Sequence, residues 1–177
     1  RMLRYQGLPD DSAAALVDGQ LRTGDVGKIE DGYLVVTGRL AEQYRLSNGK
    51  DITPEVIEKE LELSRYIRRV MIHGEGLDHN VALVVVDVDM LSRWAGDREL
   101  TFGSTADMLA SERVRRHIMA EIGERSAGLR AYERVRRIAL IDESFSVENG
   151  LLTPTNRIRR QAVLARYGAL FSELAGA

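Results

Sequence analysis

The stretch Val81-Ala82-Leu83-Val84-Val85-Val86 decides the fold of this chain. All six residues are apolar, four of them are β-branched valines, and apolar and polar side chains do not alternate. A run of this length and composition is typical of a strand buried on both faces, because a half-buried strand alternates. We therefore expect Val81–Val88 to form the central strand of a sheet with structure packed on both sides.

The segments on either side of this strand show both strand and helix patterns. Upstream, Arg69–His73 predicts a second strand, separated from the first by a glycine-rich turn at Gly74–Leu77. Downstream, the pattern predicts a short helix at Met90–Trp94, a longer helix from Ser104 with Val114, Ile118 and Ile122 at helical spacing, a strand at Arg134–Ile141, and a closing amphipathic helix with Val163, Tyr167, Leu170, Phe171 and Leu174 on one face. The predicted fold class is α+β, with a small mixed sheet flanked by helices.

Hairpin signals dominate the part of the chain before residue 53. Residues 24–37 predict a hairpin around Asp31-Gly32, and residues 44–52 predict a second hairpin around Ser47-Asn48-Gly49. Thr53-Pro54-Glu55 predicts a helix start with Thr53 as the capping side chain, and Ala13–Val17 predicts a short helix. Glu148–Thr155 predicts one more tight hairpin followed by an extended segment.

Composition excludes several classes of site. The 177 residues include no cysteine, which excludes disulfides, thiolate metal sites and a cysteine nucleophile. A net charge of −2 argues against a dedicated nucleic-acid binder, and the three histidines show no metal-ligand spacing. Of 25 basic residues only three are lysine, which leaves 22 arginines and few amines for chemistry.

Three local clusters carry groups suited to ligand binding. Thr23-Gly24-Asp25 exposes a carboxylate that suits a sugar diol, and Arg39 would lie beside it if the strands pair; the alternative is a turn aspartate paired with an arginine. Ser47-Asn48-Gly49-Lys50 permits close approach of a ligand, but Asn-Gly is also an ordinary hairpin tip. Arg157, Arg159 and Arg160 either grip phosphate or begin a solvated helix.

Four segments resemble, in order and spacing, the sequence motifs of one known family. Met2–Pro9 is similar to the pattern MxGYYxxP, and Asp18–Gly27 is similar to DGWxxTGDxG. Gly38–Pro54 is similar to GRxKExxxLSNGKxIxP, and Glu148–Arg160 is similar to ENGLLTPTxKxKR. The family is that of the AMP-forming acyl-CoA synthetases, in its branch of long-chain fatty-acid CoA ligases, and the resemblance covers nearly the whole chain.

The resemblance implies the C-terminal portion of such a ligase. Residues 1–38 would be the end of the large N-terminal AMP-binding domain, residues 39–42 the hinge, and residues 43–177 the mobile C-terminal domain. The phosphate-binding loop of the family belongs to the large domain and does not occur in this sequence, which opens in mid-pattern at Arg1-Met2. We therefore expect the full-length protein to be an enzyme and this chain alone to be inactive.

The implied reaction has two steps and uses ATP with Mg²⁺ and coenzyme A. The carboxylate of a fatty acid or another carboxylic acid attacks the α-phosphate of ATP, which gives an acyl-adenylate and pyrophosphate. The small domain then rotates, and the thiol of coenzyme A displaces AMP. The implied partners are the acid substrate, the protein's own N-terminal domain and, through that domain, a membrane surface; the implied compartment is the cytoplasm.

Site residues follow from their positions in these motifs. The resemblance assigns ATP or AMP binding to Asp25 and Arg39, the hinge to Leu40 and Ala41, and coenzyme A binding to Arg45, Ser47, Asn48 and Gly49. Arg157 takes the place of the family's catalytic lysine, which bridges the substrate carboxylate and phosphate during adenylation. No metal ligand is assigned.

The arginine at position 157 leaves two interpretations open. An arginine-rich chain could keep full function with this residue, because arginine retains the positive charge of lysine. Alternatively, adenylation is impaired because the planar guanidinium is larger than an ammonium group. The second function class is therefore a non-catalytic module that binds a nucleotide or coenzyme A through a degenerate ligase domain.

Overall fold

A computed structural model describes residues 6–7 and 9–176, with the backbone alone at Asp11 and Thr37. The motif Met2–Pro9 therefore lies largely outside the described residues. The helices are α1 Pro9–Ala15, α2 Pro54–Leu61, α3 Val88–Gly96, α4 Thr105–Ala110, α5 Glu112–Arg125 and α6 Arg160–Gly176. The strands are β1 Leu16–Val17, β2 Gln20–Leu21, β3 Asp25–Glu30, β4 Tyr33–Arg39, β5 Tyr44–Arg45, β6 Asp51–Ile52, β7 Ile67–His73, β8 Asn80–Val86 and β9 Val135–Ile141.

The central strand β8 is buried at every residue, as its composition predicts. It pairs antiparallel with β7 and parallel with β9, so the sheet order is β7-β8-β9 and the sheet is mixed. Side chains alternate between two separate apolar clusters, with Ala82, Val84 and Val86 in one and Val81, Leu83 and Val85 in the other. The predicted α+β class with a small mixed sheet is confirmed.

Each face of the sheet has its own covering layer. The first cluster is completed by the apolar faces of α2, α3 and α5 and by Leu46 and Ile52 of the β5–β6 hairpin. The second is completed by α6 and by Phe145, Leu151 and Leu152 of the segment that precedes it. Two helical layers on one sheet explain why β8 has no polar side chain between Val81 and Val86.

The crossover between β8 and β9 departs from the prediction at two points. The strand ends at Val86 rather than Val88, because the Asp87 carboxylate accepts a hydrogen bond of 3.0 Å from the Met90 N–H and caps α3. The helix predicted from Ser104 is two helices, because the backbone at Ser111 is extended, with φ −68° and ψ 125°. Ser111 thus ends α4 and begins α5.

Two further elements differ from the sequence-based expectation. The first helix is Pro9–Ala15, and Leu16–Val17 pairs with Gln20–Leu21 as a small hairpin instead of continuing a helix. Glu148–Thr155 forms turns rather than a regular hairpin. Leu152 of this segment forms an isolated antiparallel β-bridge with Ile158.

The β3–β4 hairpin is confirmed around Asp31-Gly32, and it exposes large apolar side chains to solvent. The exposed fractions are 79% for Ile29, 76% for Tyr33 and 74% for Leu34. A group of large exposed apolar side chains is typical of a surface that another segment or partner covers. Among the described residues, no helix is both long and apolar enough to cross a membrane.

An aromatic stack closes the α3–α5 interface. The rings of Trp94 and His117 lie parallel with 4.1 Å between their centroids, and Tyr66 meets His117 edge-on. Burial, together with the positive charge of Arg98, lowers the pKa of His117 below its ordinary value, although Glu121 and Glu124 oppose this shift. The neutral ring is therefore the form that the folded chain favours.

This environment predicts a pH-dependent stability. The folded state lowers the pKa of His117, so burial of the neutral imidazole stabilises the fold above the unfolded-state pKa of about 6.5. This contribution is lost as pH falls through the folded-state pKa. We expect the free energy of unfolding to decrease as pH falls below about 6.5, and His117→Phe to reduce that decrease. Urea unfolding at several pH values measures it.

His73 has a pKa lowered mainly by burial, so a residual slope of the same sign should remain in the variant. Profiles of equal slope for the wild type and His117→Phe would contradict the assignment.

Candidate functional site

Asp25 and Arg39 face each other at the open end of the β3–β4 hairpin. They are register partners, and the Arg39 Nε lies 3.4 Å from the Asp25 Oδ1. Gly24, with φ +72°, turns the chain into β3, and the Thr23 hydroxyl accepts a hydrogen bond from the Asp25 N–H. The structure thus brings these two predicted residues together, with both side chains partly exposed.

The predicted hinge follows immediately as a single 3-10 turn, Leu40–Glu42. The Leu40 N–H donates to the Gly24 carbonyl at 2.8 Å, which ties the start of this turn to the hairpin. Ala41 is exposed and has no polar side-chain group. Beyond it, the Gln43 amide donates to the Thr53 Oγ1 at 2.8 Å. The Thr53 side chain makes no capping hydrogen bond to α2, contrary to the prediction.

The tip Ser47-Asn48-Gly49 is an exposed turn between β5 and β6. The Asn48 Oδ1 accepts a hydrogen bond of 3.1 Å from the Lys50 N–H, and Gly49 has φ +79°. A Cβ added to Gly49 would meet no atom within 4 Å, so the tip is open on that side. The backbone of Ser47 is anchored by its N–H, which donates to the Leu77 carbonyl.

Arg45 and Asp51 form an ion pair at the base of this tip. The Arg45 Nε donates to the Asp51 Oδ1 at 2.7 Å, and the Nη2 donates to the Oδ2 at 3.2 Å. Hydrogen bonding and charge attraction raise the pKa of Arg45 and lower the pKa of Asp51. Both groups are exposed, so Arg45 can exchange this partner for a ligand anion at small cost.

A buried polar network under the tip was not expected from the sequence. The Tyr44 hydroxyl donates to the Asn80 Oδ1 at 2.7 Å, and the Asn80 amide donates to the carbonyls of Tyr132 and Glu133, each at 3.0 Å. Burial raises the pKa of Tyr44, so this hydroxyl stays protonated as a donor. The network joins the β5–β6 hairpin to the start of β8 and the segment that leads into β9.

Arg157 lies on a tight turn that precedes α6. The Thr153 N–H donates to the Arg157 carbonyl at 2.8 Å, the Arg157 N–H donates to the Thr153 Oγ1 at 3.1 Å, and Asn156 has φ +61°. The side chain is exposed, and none of the ion pairs among the described residues includes it. Arg157 borders a cleft of about 110 Å³ with Glu42, Glu55, Glu58 and Glu62.

Arg160, three residues further on, begins α6 as a largely buried charge, with its side chain 15% exposed, and not as part of a solvated helix start. Its Nη2 lies 2.5 Å from the Glu58 Oε2, its Nη1 donates to the Ile72 carbonyl at 3.1 Å, and its Nε lies 3.4 Å from the Glu42 Oε2. Burial raises the pKa of Glu58, although Arg160 and the Ile72 N–H favour the ionised form. The Glu58 and Glu42 carboxylates raise the pKa of Arg160 against the effect of burial, which keeps the guanidinium charged.

The sequence contained one signal for this pair. Glu58 lies next to Ile57 and three residues before Leu61, on the apolar face of α2. An acidic side chain on a buried face needs a cationic partner, so its position predicts a buried arginine or lysine without naming it.

The cleft that Arg157 borders is also lined by Glu42, the last residue of the predicted hinge. Neither the Asp25–Arg39 pair nor the tip Ser47-Asn48-Gly49 lines that cleft. Among the described residues, no group of three or more acidic, histidine or cysteine side chains could hold a metal ion.

Sequence comparison finds relatives that match nearly all of this chain. It is 38% identical over 172 residues to a long-chain-fatty-acid–CoA ligase of Cavia porcellus, which covers 94% of this chain and 24% of the relative. It is 33% identical over 161 residues to a peroxisomal long-chain acyl-CoA synthetase of Arabidopsis thaliana, which covers 89% of this chain and 23% of the relative. The chain thus spans about a quarter of the length of these relatives. No family model matches it.

Solved structures with a similar fold include adenylation domains. The adenylation domain of a carboxylate reductase from Mycobacterium chelonae matches 98% of this chain with a TM-score of 0.81 and 21% identity, over 26% of that chain. The didomain of a carboxylic acid reductase from Segniliparus rugosus, in complex with AMP, matches 98% with a TM-score of 0.78 and 24% identity, over 23% of that chain. These likenesses establish the fold.

The packing around Asn80 predicts the effect of a minimal substitution. A Cβ at Gly74 would lie 2.6 Å from the Asn80 Oδ1, 3.0 Å from the Leu46 Cδ2 and 3.1 Å from the His79 carbonyl. We therefore expect Gly74→Ala to destabilise the chain by about 1–3 kcal/mol, measured by urea unfolding.

Gly123, inside α5, is the matched control, because its added Cβ would meet nothing within 4 Å. We expect Gly123→Ala to stabilise the chain by about 0.5–1 kcal/mol. Equal effects of the two substitutions would contradict the importance of this contact.

Proposed function

Because this chain belongs to the long-chain acyl-CoA synthetase family and corresponds to the C-terminal portion of its members, we propose that it works as that portion of a fatty-acid CoA ligase. The ligase would activate a carboxylic acid with ATP to an acyl-adenylate and transfer the acyl group to coenzyme A. The observation that carries the proposal is the placement of the motif residues: Asp25, Arg39, Arg157 and the tip Ser47-Asn48-Gly49 are exposed or partly exposed and available to ligands, while the core is built from other residues.

For the nucleotide, we assign Asp25 and Arg39 to the ribose. A carboxylate accepts hydrogen bonds from two neighbouring hydroxyls, and the guanidinium beside it donates to ribose or phosphate oxygens. The Arg39 Nε lies 3.4 Å from the Asp25 Oδ1, so the carboxylate can still accept hydrogen bonds from the ribose hydroxyls. Mg²⁺ enters the proposal with ATP, and no residue of this chain is assigned to it.

For coenzyme A, we assign the tip Ser47-Asn48-Gly49 to the pantetheine arm and Arg45 to a nearby anion. The open side of Gly49 allows a thin ligand to approach the backbone. Coenzyme A supplies the thiol that displaces AMP from the acyl-adenylate. The residues of the tip would hold and orient this thiol rather than transfer a proton.

Arg157 is the proposed catalytic residue for adenylation. Its guanidinium has no competing ion pair among the described residues, and it can donate to the substrate carboxylate and the α-phosphate together. Such a bridge would stabilise the negative charge that the two reacting groups bring together.

The proposed domain boundaries are residues 1–38 for the end of the large domain, 39–42 for the hinge and 43–177 for the mobile domain. The exposed Ile29, Tyr33 and Leu34 support the first boundary, because a large domain would cover this apolar surface. The mobile domain has its own core on both faces of β8, as a rotating unit requires.

The proposed partners are a fatty acid or another carboxylic acid and the protein's own N-terminal domain. The structure of a carboxylic acid reductase adenylation domain with a similar fold contains AMP and a co-purified carboxylic acid, which supports this class of substrate. Contact with a membrane surface is proposed only through the N-terminal domain. The cytoplasm is the proposed compartment on the basis of composition, although two Arabidopsis thaliana relatives are named as peroxisomal.

The arginine at position 157 favours a second candidate, a non-catalytic module that binds a nucleotide or coenzyme A. ATP–pyrophosphate exchange in the full-length protein, with a panel of fatty acids of different chain length, separates the two functions. We expect exchange that depends on the acid and is lost in Asp25→Ala through weaker ATP binding. No exchange with any acid would overturn the ligase proposal and support the module.

The role of Arg157 predicts an unequal effect on the two half-reactions. Arg157→Ala in the full-length protein should slow adenylation by about 10²–10³-fold, because it removes one preorganised charge from the transition state. Thiolation of a supplied acyl-adenylate should change much less. Both rates are measured by rapid quench with radiolabelled substrate.

Arg159→Ala is the control, because Arg159 is an exposed neighbour whose side chain donates to the Gly150 carbonyl. It should leave both half-reactions near the wild-type rates. Equal slowing of adenylation and thiolation by Arg157→Ala would show that this residue does not have the proposed role.

A further inference from the structure

Arg160 forms ion pairs with Glu58 and Glu42, and the one with Glu58 is the stronger. Its partner Glu58 is a nearly fully buried carboxylate, with a side chain only 7% exposed, and the two charged groups are 2.5 Å apart. The second Glu58 oxygen accepts the Ile72 N–H at 2.8 Å, and Arg160 itself donates to the Ile72 carbonyl. One ion pair therefore joins the start of α6 to both α2 and β7.

The contact between Arg160 and Glu42 is weaker. The Nε–Oε2 distance is 3.4 Å, and the Glu42 side chain is 29% exposed. Attraction between charges falls with distance and with solvent access, so this is the contact that can be broken without unfolding the domain. Glu42 is also the last residue of the 3-10 turn that follows Arg39.

The two ends of that turn are held by different parts of the chain. The Leu40 N–H is bonded to the Gly24 carbonyl of the β3–β4 hairpin. Glu42 forms an ion pair with Arg160, and the Gln43 side chain donates a hydrogen bond to the Thr53 hydroxyl at the start of α2. Ala41 is the residue between these two sets of anchors, and it is exposed.

A groove next to the turn provides space for movement. It has a volume of about 570 Å³ and is lined by residues 41–44, 71–73, 75, 158–162 and 164. Ala41 and Glu42 therefore border open space rather than close packing on this side.

We propose that the Glu42–Arg160 ion pair fastens the C-terminal end of the hinge to the mobile domain, so that rotation is confined to Leu40 and Ala41. Arg160 is then a positioning residue: it connects the hinge to the turn that carries Arg157, three residues before it. The inference rests on the proposed function for its effect on rates, but its structural part does not.

The structural part is tested in the chain itself by hydrogen exchange with mass spectrometry. Glu42→Ala should speed exchange of the amides of residues 42–44 roughly two- to fivefold, the range expected from loss of a partly exposed ion pair. Glu55→Ala is the matched control, because Glu55 borders the same cleft but pairs with Lys59 within α2. Unchanged exchange at residues 42–44 in Glu42→Ala would overturn the proposal.

The functional part is tested in the full-length protein by measuring the two half-reactions separately. A hinge with extra freedom places Arg157 less accurately, so Glu42→Ala should change the ratio of adenylation to thiolation by at least threefold while the melting temperature stays near that of Glu55→Ala. Partial recovery of the ratio in Glu42→Gln, which keeps an acceptor for Arg160, would support a positioning role.

The outcomes separate this inference from the ligase proposal. Equal loss of both half-reactions together with a lower melting temperature would show a purely structural role and overturn the inference. A wild-type protein without any pyrophosphate exchange would overturn the ligase proposal, and the hydrogen-exchange result would still decide whether Glu42 is fastened to the mobile domain.

Discussion

Burial of β8 on both faces is the constraint on which the rest of this structure depends. A strand with no polar side chain between Val81 and Val86 requires an apolar layer on each side, and the chain supplies α2, α3 and α5 for one and α6 for the other. Parallel pairing of β8 with β9 then requires a long crossover, which α3, α4 and α5 provide. Because α6 must cover the second face, the turn with Arg157 lies where that helix begins.

The Glu58–Arg160 pair is an expensive way to attach α6 to this core. Removing two charges from water costs several kcal/mol, and their mutual attraction offsets roughly this amount. Such a pair therefore contributes little net stability compared with an apolar contact. What it adds is geometry. The guanidinium has donors in fixed directions, and here they bind α2, β7 and the 3-10 turn Leu40–Glu42 from a single side chain. An apolar residue at position 160 could pack but could not bind Glu42.

The sequence predicted the features that depend on neighbouring residues and missed those that depend on distant ones. The hairpins at Asp31-Gly32 and Asn48-Gly49 and the burial of β8 follow from local patterns, and the contact of Asp25 with Arg39 follows from strand pairing. The partners of Arg160 are 88 to 118 residues away, so its burial could not be read from its own surroundings. The break at Ser111 was missed because Val114, Ile118 and Ile122 keep a helical spacing on one side of it.

The arginine at position 157 has to be judged against the environment that the structure gives it. A lysine ammonium donates from one point, whereas a guanidinium donates from a planar fork and can hold a carboxylate and a phosphate at once. A guanidinium can do this only if its N–H donors are not already bound to other groups. The donors of Arg160, in the same segment, are bound to Glu58, Glu42 and the Ile72 carbonyl. Arg157 is exposed on a turn that Thr153 holds in shape. The fold therefore uses Arg160 for architecture and leaves Arg157 available for chemistry.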